Sequence, residues 1–266
     1  MAREFDDVAV YYDNTFTHAA TGKRLRERVW HFTTKILGQQ TGKALELNAG
    51  TGEDALWLTQ QGWQVLATDI SREMLLVAQQ KKAAAGIPPE NSPFFQTLAL
   101  EELDKLNESN FDLVFSNFGG LNCLNPEALQ QAGAAIAQKL PSGGHCIAVV
   151  MSRFCWWESL YFLIKGKFAA ILRRRAKGAI QAPLDTQTTI STWYYSPQTF
   201  SKVLAGEQLV QRACRPIGFW LPPSYLEPFF ASRPKALAML HWLEKHLTPN
   251  WVAPGADHFL IHFTKK

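Results

Sequence analysis

From Lys43 to Met151 the chain alternates short strand patterns with helix patterns, and the first strand-to-helix junction is a glycine turn. KALELNA (43–49) reads as a strand and 53–61 as a helix. QVLATDI (64–70) is a second strand, followed by a helix over 71–85 with Ser71 as N-cap, Glu73 in its first turn and Gly86 just past its end. A weaker strand sits at 94–98. FDLVFSN (111–117) is another, 125–139 is a helix opened by Asn125-Pro126, and HCIAVVM (145–151) follows the turn Pro141-Ser142-Gly143-Gly144. A crossover helix must return across a face of the sheet, so repeated units of this length make the strands parallel and cover both faces. The expected fold class is α/β, doubly wound.

The flanks differ from this core. Residues 1–40 hold YYDNTFTH and then a helix whose apolar stripe is Leu25, Val29, Trp30, Phe32, Ile36 and Leu37, with Arg24, Arg26 and Arg28 on its other face. After Met151 come a long aromatic and basic helix pattern (156–177), a strand TTISTWYY (188–195), a helix at 197–205 and a strand at 208–217. The proline-rich LPPSYLEPFF and two helical stretches to about His246 precede a last strand, 258–264. No internal repeat or low-complexity linker divides the chain. The expectation is one elaborated domain over 1–266: a helical lid (1–40), a ligand-binding core (41–151), cap insertions (152–195 and 221–247) and two closing strands (208–217 and 258–264).

Composition narrows the class. Hydrophobic residues make up 47% and charged residues 19% of 266, which suits a globular chain and excludes a disordered, collagenous or rod-like one. No stretch reaches the roughly 18 apolar residues of a membrane span. The opening MAREFDDVAV has acids where a secretory signal needs an apolar run, so a cytoplasmic protein is expected. Cys123, Cys146, Cys155 and Cys214 form no metal-ligand spacing; they are expected to be reduced, and no metal site is expected. The net charge of +4 is concentrated in 155–178, which carries +5 and leaves the remainder at −1. A nucleic-acid partner is not expected, because phosphate binding needs a positive footprint across a face.

The sharpest local signal is Glu46-Leu47-Asn48-Ala49-Gly50-Thr51-Gly52-Glu53-Asp54 at the end of the first strand. Ligands of open α/β sheets bind beyond the carboxyl ends of strands, and glycines there let backbone amides approach a ligand without a Cβ in the way. The second strand ends in Asp69, 17 residues beyond Gly52, the position of an acid that accepts hydrogen bonds from ribose hydroxyls. A purely structural reading makes Gly50 and Gly52 a tight turn and Asp69 and Ser71 a helix cap. Both signals in register with a parallel sheet favour a nucleoside cofactor.

These residues resemble the class I S-adenosylmethionine-dependent methyltransferases, especially the branch acting on small molecules such as quinones and lipids. The resemblance covers roughly residues 5–150. Glu46-x-Asn48-x-Gly50-x-Gly52 is similar to the family's first motif, with Asn48 where a glycine is usual; asparagine is the residue that best tolerates a left-handed backbone. The resemblance implies S-adenosylmethionine as cofactor, with Ala49 in the glycine turn, Asp69 and Ile70 at the ribose and Met74 near the adenine. It also implies that Ser116, Asn117 and Phe118 line the pocket and that Tyr12 faces the methionine end. The family's adenine-binding acid has no counterpart: Gln96-Thr97-Leu98-Ala99-Leu100-Glu101-Glu102-Leu103 puts Ala99 in its place, so backbone groups of Leu98 and Ala99 are expected to hold the base. A seven-stranded, mostly parallel sheet with 258–264 antiparallel follows from the resemblance, as does in-line methyl transfer to a small, apolar or lipid-like acceptor. Such transfer rests on orientation and water exclusion, so no acid–base triad is required.

Two competing functions share part of the pattern. Gly50-x-Gly52-x-x-Ala55 also satisfies the dinucleotide fingerprint of an NAD(P)-dependent oxidoreductase, and Tyr161 and Lys165 have the Tyr-x-x-x-Lys spacing of short-chain dehydrogenases. Against it, Glu46 lies inside the first strand, and Tyr161 sits in an apolar run without a serine partner. A non-catalytic relative of the same fold is the other alternative. Candidate bases are His258, beside Asp257, and Tyr195. Residues 156–177, WWESLYFLIKGKFAAILRRRAK, are read as a cap helix over the pocket or as a peripheral contact with an anionic membrane through Arg173, Arg174 and Arg175; no obligate protein partner is indicated.

Overall fold

Alternate residues of the central strands enter two different cores. In β1 (Lys43–Leu47), Leu45 and Leu47 join one apolar cluster and Ala44 the other. In β5 (His145–Met151) Cys146, Ala148 and Val150 face the first, while Ile147 and Val149 face the second. This period-two sorting over strands buried on both faces is what a sheet with helices on either side requires. The computed structural model describes residues 2–88, 91–184 and 188–266.

The main sheet has the order β3-β2-β1-β4-β5-β9-β8, with β2 at Gln64–Asp69, β3 at Phe94–Thr97, β4 at Leu113–Ser116, β8 at Leu209–Ile217 and β9 at His258–Lys265. Strands β1 to β5 pair in parallel, and β9 runs antiparallel between β5 and β8. The doubly wound, seven-stranded mixed sheet is therefore as the sequence indicated. Between β1 and β4 the strand order reverses, which opens a crevice at their carboxyl ends.

Helices α5 (Pro126–Lys139) and α7 (Pro197–Ala205) cover one face; α2 (Ala20–Leu37), α3 (Glu53–Gln60) and α4 (Arg72–Ala84) cover the other. The starts of α4, α5 and α7 are capped by side chains. Ser71 accepts the Met74 amide (3.1 Å), Asn125 the Ala128 amide (2.8 Å) and Ser196 the Thr199 amide (3.1 Å). Upstream, α1 (Ala2–Tyr12) passes through a π-helical turn at Asp13–Thr17 into α2.

Two expectations change beyond Met151. The pattern at 156–177 is not one helix: α6 (Trp156–Ile164) stops before Gly166, which has φ +67°, and the chain continues in short 3-10 turns at Phe168–Ala170 and Arg173–Arg175. The strand at 188–195 is shorter, β7 (Thr189–Thr192), and pairs antiparallel with β6 (Ile180–Pro183), a strand that composition did not signal. The expected cap also includes residues 185–187, which lie outside the described residues. Within 221–247, α8 (Glu227–Ala231) and α9 (Pro234–His246) pack through Phe230, Leu237 and Leu240 into the cluster containing Leu25 and Val29. Among the described residues, no helix is long and apolar enough to cross a membrane.

Candidate functional site

A cleft of about 1070 Å³, including its open mouth, lies over the carboxyl ends of β1, β2 and β4. Its floor is the turn after β1. Asn48 has φ +49°, the left-handed backbone its place in the glycine pattern requires. Gly50 has φ +54° with open space where a Cβ would stand; at Gly52 (φ +75°) a Cβ would lie 2.7 Å from that of Ala78, so this glycine lets α4 approach the turn. Side chains lock the turn. Asn48 donates to the Asn117 carbonyl (2.8 Å) and accepts from Ser116 Oγ (2.6 Å), while Asp69 accepts the amides of Gly50 and Ser71, both at 2.8 Å.

Of the residues expected at the site, Tyr12, Asn48, Ala49, Gly50, Asp69, Ile70, Met74, Leu98, Asn117 and Phe118 line the cleft. Four do not. Glu46 lies buried beneath the turn with Oε2 unpartnered, and its carboxyl is pushed well up by burial and by Asp54. Gly52 packs against Phe95 and Ala78, and Ser116 acts through Asn48. Ala99 only precedes the 3-10 turn Leu100–Lys105; Glu101, two residues later, lines the cleft. Leu98 continues the ladder with β2, its amide donating to the Asp69 carbonyl (2.9 Å), before the chain turns at Ala99.

Neither candidate base lines the cleft. Tyr195 is buried, and its hydroxyl donates to the Leu124 carbonyl (2.6 Å) inside the core. Burial pushes its pKa further up, which disfavours a phenolate. His258 lies behind Phe118, edge to face at 5.4 Å, with Nδ1 3.2 Å from Asp257. Among the described residues no group of three metal-ligating side chains gathers.

Arg26, expected on the outer face of its helix, is instead buried and lines the cleft. Its Nη1 pairs with Asp54 Oδ2, and Asp54 also accepts from Trp30 Nε1 (2.6 Å) and Asn117 Nδ2 (3.0 Å). Burial opposes the Arg26 charge, but Asp54 and Tyr12 more than offset it and its pKa rises. Its Nε remains a buried donor without a partner. Arg26 and Trp30 are four residues apart, on one helix face, and that spacing was the available clue. Tyr12 is pushed up to about 12, chiefly by burial, and stays a neutral phenol. Burial likewise raises Asp69, partly countered by the Ser71 and Gly50 amides.

The N-terminal segment is fastened across the cleft. Asp6 accepts from Ser71 Oγ (2.6 Å), Asp13 from Thr51 Oγ1 (2.6 Å) and Lys81 (3.0 Å), and Val8 and Ala9 pack on Met74. Leu184, beyond β6, packs against the same cluster, so α1 and the β6–β7 hairpin meet over the opening. On the hairpin side the walls are Phe118, Met151, Leu184, Ile190 and Thr192.

Comparison with known proteins agrees with this geometry. Residues 44–144 match the family model described as "Methyltransferase domain". The tRNA 5-carboxymethoxyuridine methyltransferase of Escherichia coli (strain K12) is 27% identical over 115 residues, 42% of this chain and 43% of that protein. The demethylmenaquinone methyltransferase of Clavibacter sepedonicus is 30% identical over 124 residues, 46% of this chain and 47% of that one. The matched regions thus span less than half the length of these curated relatives. In structure, an S-adenosylmethionine-dependent methyltransferase from Clostridium acetobutylicum superposes with a TM-score of 0.59 at 14% identity over 98% of each chain. The fold is that of the class I methyltransferases, as the resemblance implied.

Proposed function

We propose that this chain, which carries a methyltransferase domain at 44–144, is an S-adenosylmethionine-dependent methyltransferase acting on a small, apolar or lipid-like acceptor. The observation that carries the proposal is the pairing, in one cleft at the sheet's switch point, of a buried carboxylate, Asp69, with a buried arginine that keeps an unused donor, Arg26. The residues fit the cofactor. Both Asp69 oxygens retain acceptor capacity after serving the amides of Gly50 and Ser71, which suits a ribose diol. Arg26 suits the carboxylate of the methionine end, Ile70, Met74 and Leu98 provide apolar walls for adenine, and Glu101 supplies the acceptor absent at Ala99.

Bound there, S-adenosylmethionine supplies a methyl group on a sulfonium, activated for in-line displacement. The chain's part is positional. The locked turn fixes the cofactor end, while α1 and the β6–β7 hairpin exclude water. Phe118, Met151, Leu184 and Ile190 offer an acceptor apolar contact rather than charge, which supports the apolar substrate class. An RNA acceptor is disfavoured in this reading, because among the described residues the cleft lining contributes one lysine or arginine, Arg26, and Asp54 already neutralises it. The buried positions of His258 and Tyr195 give neither a role in proton transfer.

Calorimetric titration with S-adenosylhomocysteine, run beside NAD and NADP, tests the reading. Micromolar uptake of S-adenosylhomocysteine alone is expected. Uptake of a nicotinamide alone returns the oxidoreductase, and silence from all three favours a fold relative without cofactor chemistry.

A further inference from the structure

We propose that the surface formed by the end of α6, the 165–172 segment and the neighbouring Tyr225 and Phe229 seats this protein on an anionic phospholipid bilayer. The sequence pattern suggested membrane contact through an arginine-tipped helix. The structure assigns the contact to different residues. Arg173 is held by the buried Glu158 through two hydrogen bonds of 2.9 Å, and Arg174 is buried between Glu158 (3.1 Å) and Asp257 (2.7 Å). Arg174 is thus enclosed in the cap, and the guanidinium of the half-buried Arg173 is already taken up by Glu158.

What faces outward is apolar. Ile164 is 74% exposed, Phe168 69% and Leu163 52%, with Leu172, Tyr225 and Phe229 also exposed. The segments that carry them adjoin. Ser159 Oγ donates to the Ile171 carbonyl (3.2 Å), folding the 165–172 segment back along α6. The Tyr161 and Tyr225 rings lie 5.6 Å apart, and Trp157 meets Phe230, the neighbour of Phe229, at 5.9 Å. Adjacent exposed apolar side chains of this number mark an interaction site.

Charge selects the occupant. From Ser159 to Leu184 the sequence contains no aspartate or glutamate, while Lys165, Lys167, Arg175 and Lys177 are exposed and enter no ion pair among the described residues. Apolar side chains with lysines at the same level match the boundary of a bilayer with negative headgroups, where tails receive the former and phosphates the latter. A second copy is a poor fit, because two-fold pairing would set this unneutralised positive surface against itself. The same segment runs directly into β6, and Leu184 and Ile190 of the hairpin line the cleft, so the membrane surface is continuous in the chain with the proposed acceptor wall. In that respect the inference deepens the lipid-like acceptor of the proposed function, although the binding itself does not depend on it.

The test is co-sedimentation of the full chain with vesicles of phosphatidylcholine alone and of phosphatidylcholine with an equal amount of phosphatidylglycerol. Binding to the mixed vesicles only, weakening as salt is raised, is expected. The variant Lys165→Gln/Lys167→Gln should lose about fivefold in partitioning per lysine, the equivalent of about 1 kcal/mol each. Ile164→Glu/Phe168→Glu should lose at least as much, and Phe94→Ser, exposed on the β3 edge strand, should lose nothing. Absent binding, equal binding to both vesicle types, or binding untouched by the variants of this surface overturns the proposal, as does a concentration-dependent dimer that those variants abolish. Titration of each variant with S-adenosylhomocysteine separates the two hypotheses. A protein that takes up the nucleoside but ignores vesicles refutes the membrane surface alone; vesicle binding without nucleoside uptake refutes the enzyme alone.

Discussion

Asp69 has one established duty and one proposed one, and a single substitution removes both. Its carboxylate accepts the amides of Gly50 and Ser71, so Asp69→Ala removes the clasp of the turn as well as the acceptor proposed for the ribose. The expected cost is about 2 kcal/mol of stability in a urea titration, together with a loss of about tenfold or more in S-adenosylhomocysteine affinity. Unaltered affinity would remove Asp69 from the ribose site. Asp69 and Asn48 were legible because a motif reports local backbone need: a left-handed residue and an amide acceptor are requirements of the turn itself. Arg26 was not legible. Its burial is decided by Asp54, a residue 28 positions away that reaches it only when α2 lies against α3. Ala99 and Glu101 show the same limit, since which residue of the turn after β3 faces the cleft is set by how that turn packs.

At the scale of elements, the α/β core was readable because each strand and helix announces itself by period and punctuation. The cap was not, because its segments are held by charges that meet only in three dimensions. Glu158 of α6, Arg174 of the 173–175 turn and Asp257 before β9 form one buried ionic cluster, which the half-buried Arg173 joins through Glu158. Burial works against the Asp257 charge, but His258 and Arg174 overcome it and hold the carboxyl far below the ordinary range. Replacing Asp257 with asparagine leaves Arg174 buried with less compensation. The expected loss is about 3 kcal/mol in chemical denaturation, with the 165–184 segment exchanging amide hydrogens faster than β1. Unchanged exchange there would show that the cluster does not fasten the cap. The helix pattern at 156–177 failed at Gly166 because periodicity runs through a glycine that the backbone does not follow.

For the whole molecule, stability against acid is the observable that reports on the junction of the parallel strands with the antiparallel β9. His262 of β9 and His145 of β5 meet at 2.9 Å, their rings nearly parallel. Burial, then His145 and Arg212, lowers His262 to about 4, and burial lowers His145 as well. In the unfolded chain a histidine binds its proton near pH 6.5, at about the model-peptide value. Between that value and about 4 the unfolded state therefore holds more protons, and stability is lost as the pH falls through this window. Thermal denaturation from neutral pH to below 5 should show that loss in the native chain, and His262→Gln should flatten it; equal slopes would rule the pair out as its source. The alternation of elements and the chemistry of one turn determined, from sequence alone, the doubly wound sheet, the place of its cleft and the class of cofactor the turn suits. Both depend on contacts within a few turns of chain. Only the tertiary structure decided that Arg26 enters the cleft, that Tyr195 and His258 stay out of it, and that the cap closes through a hairpin and a buried ionic cluster. Burial and charge pairing between residues distant in sequence exist only once the sheet has brought them together.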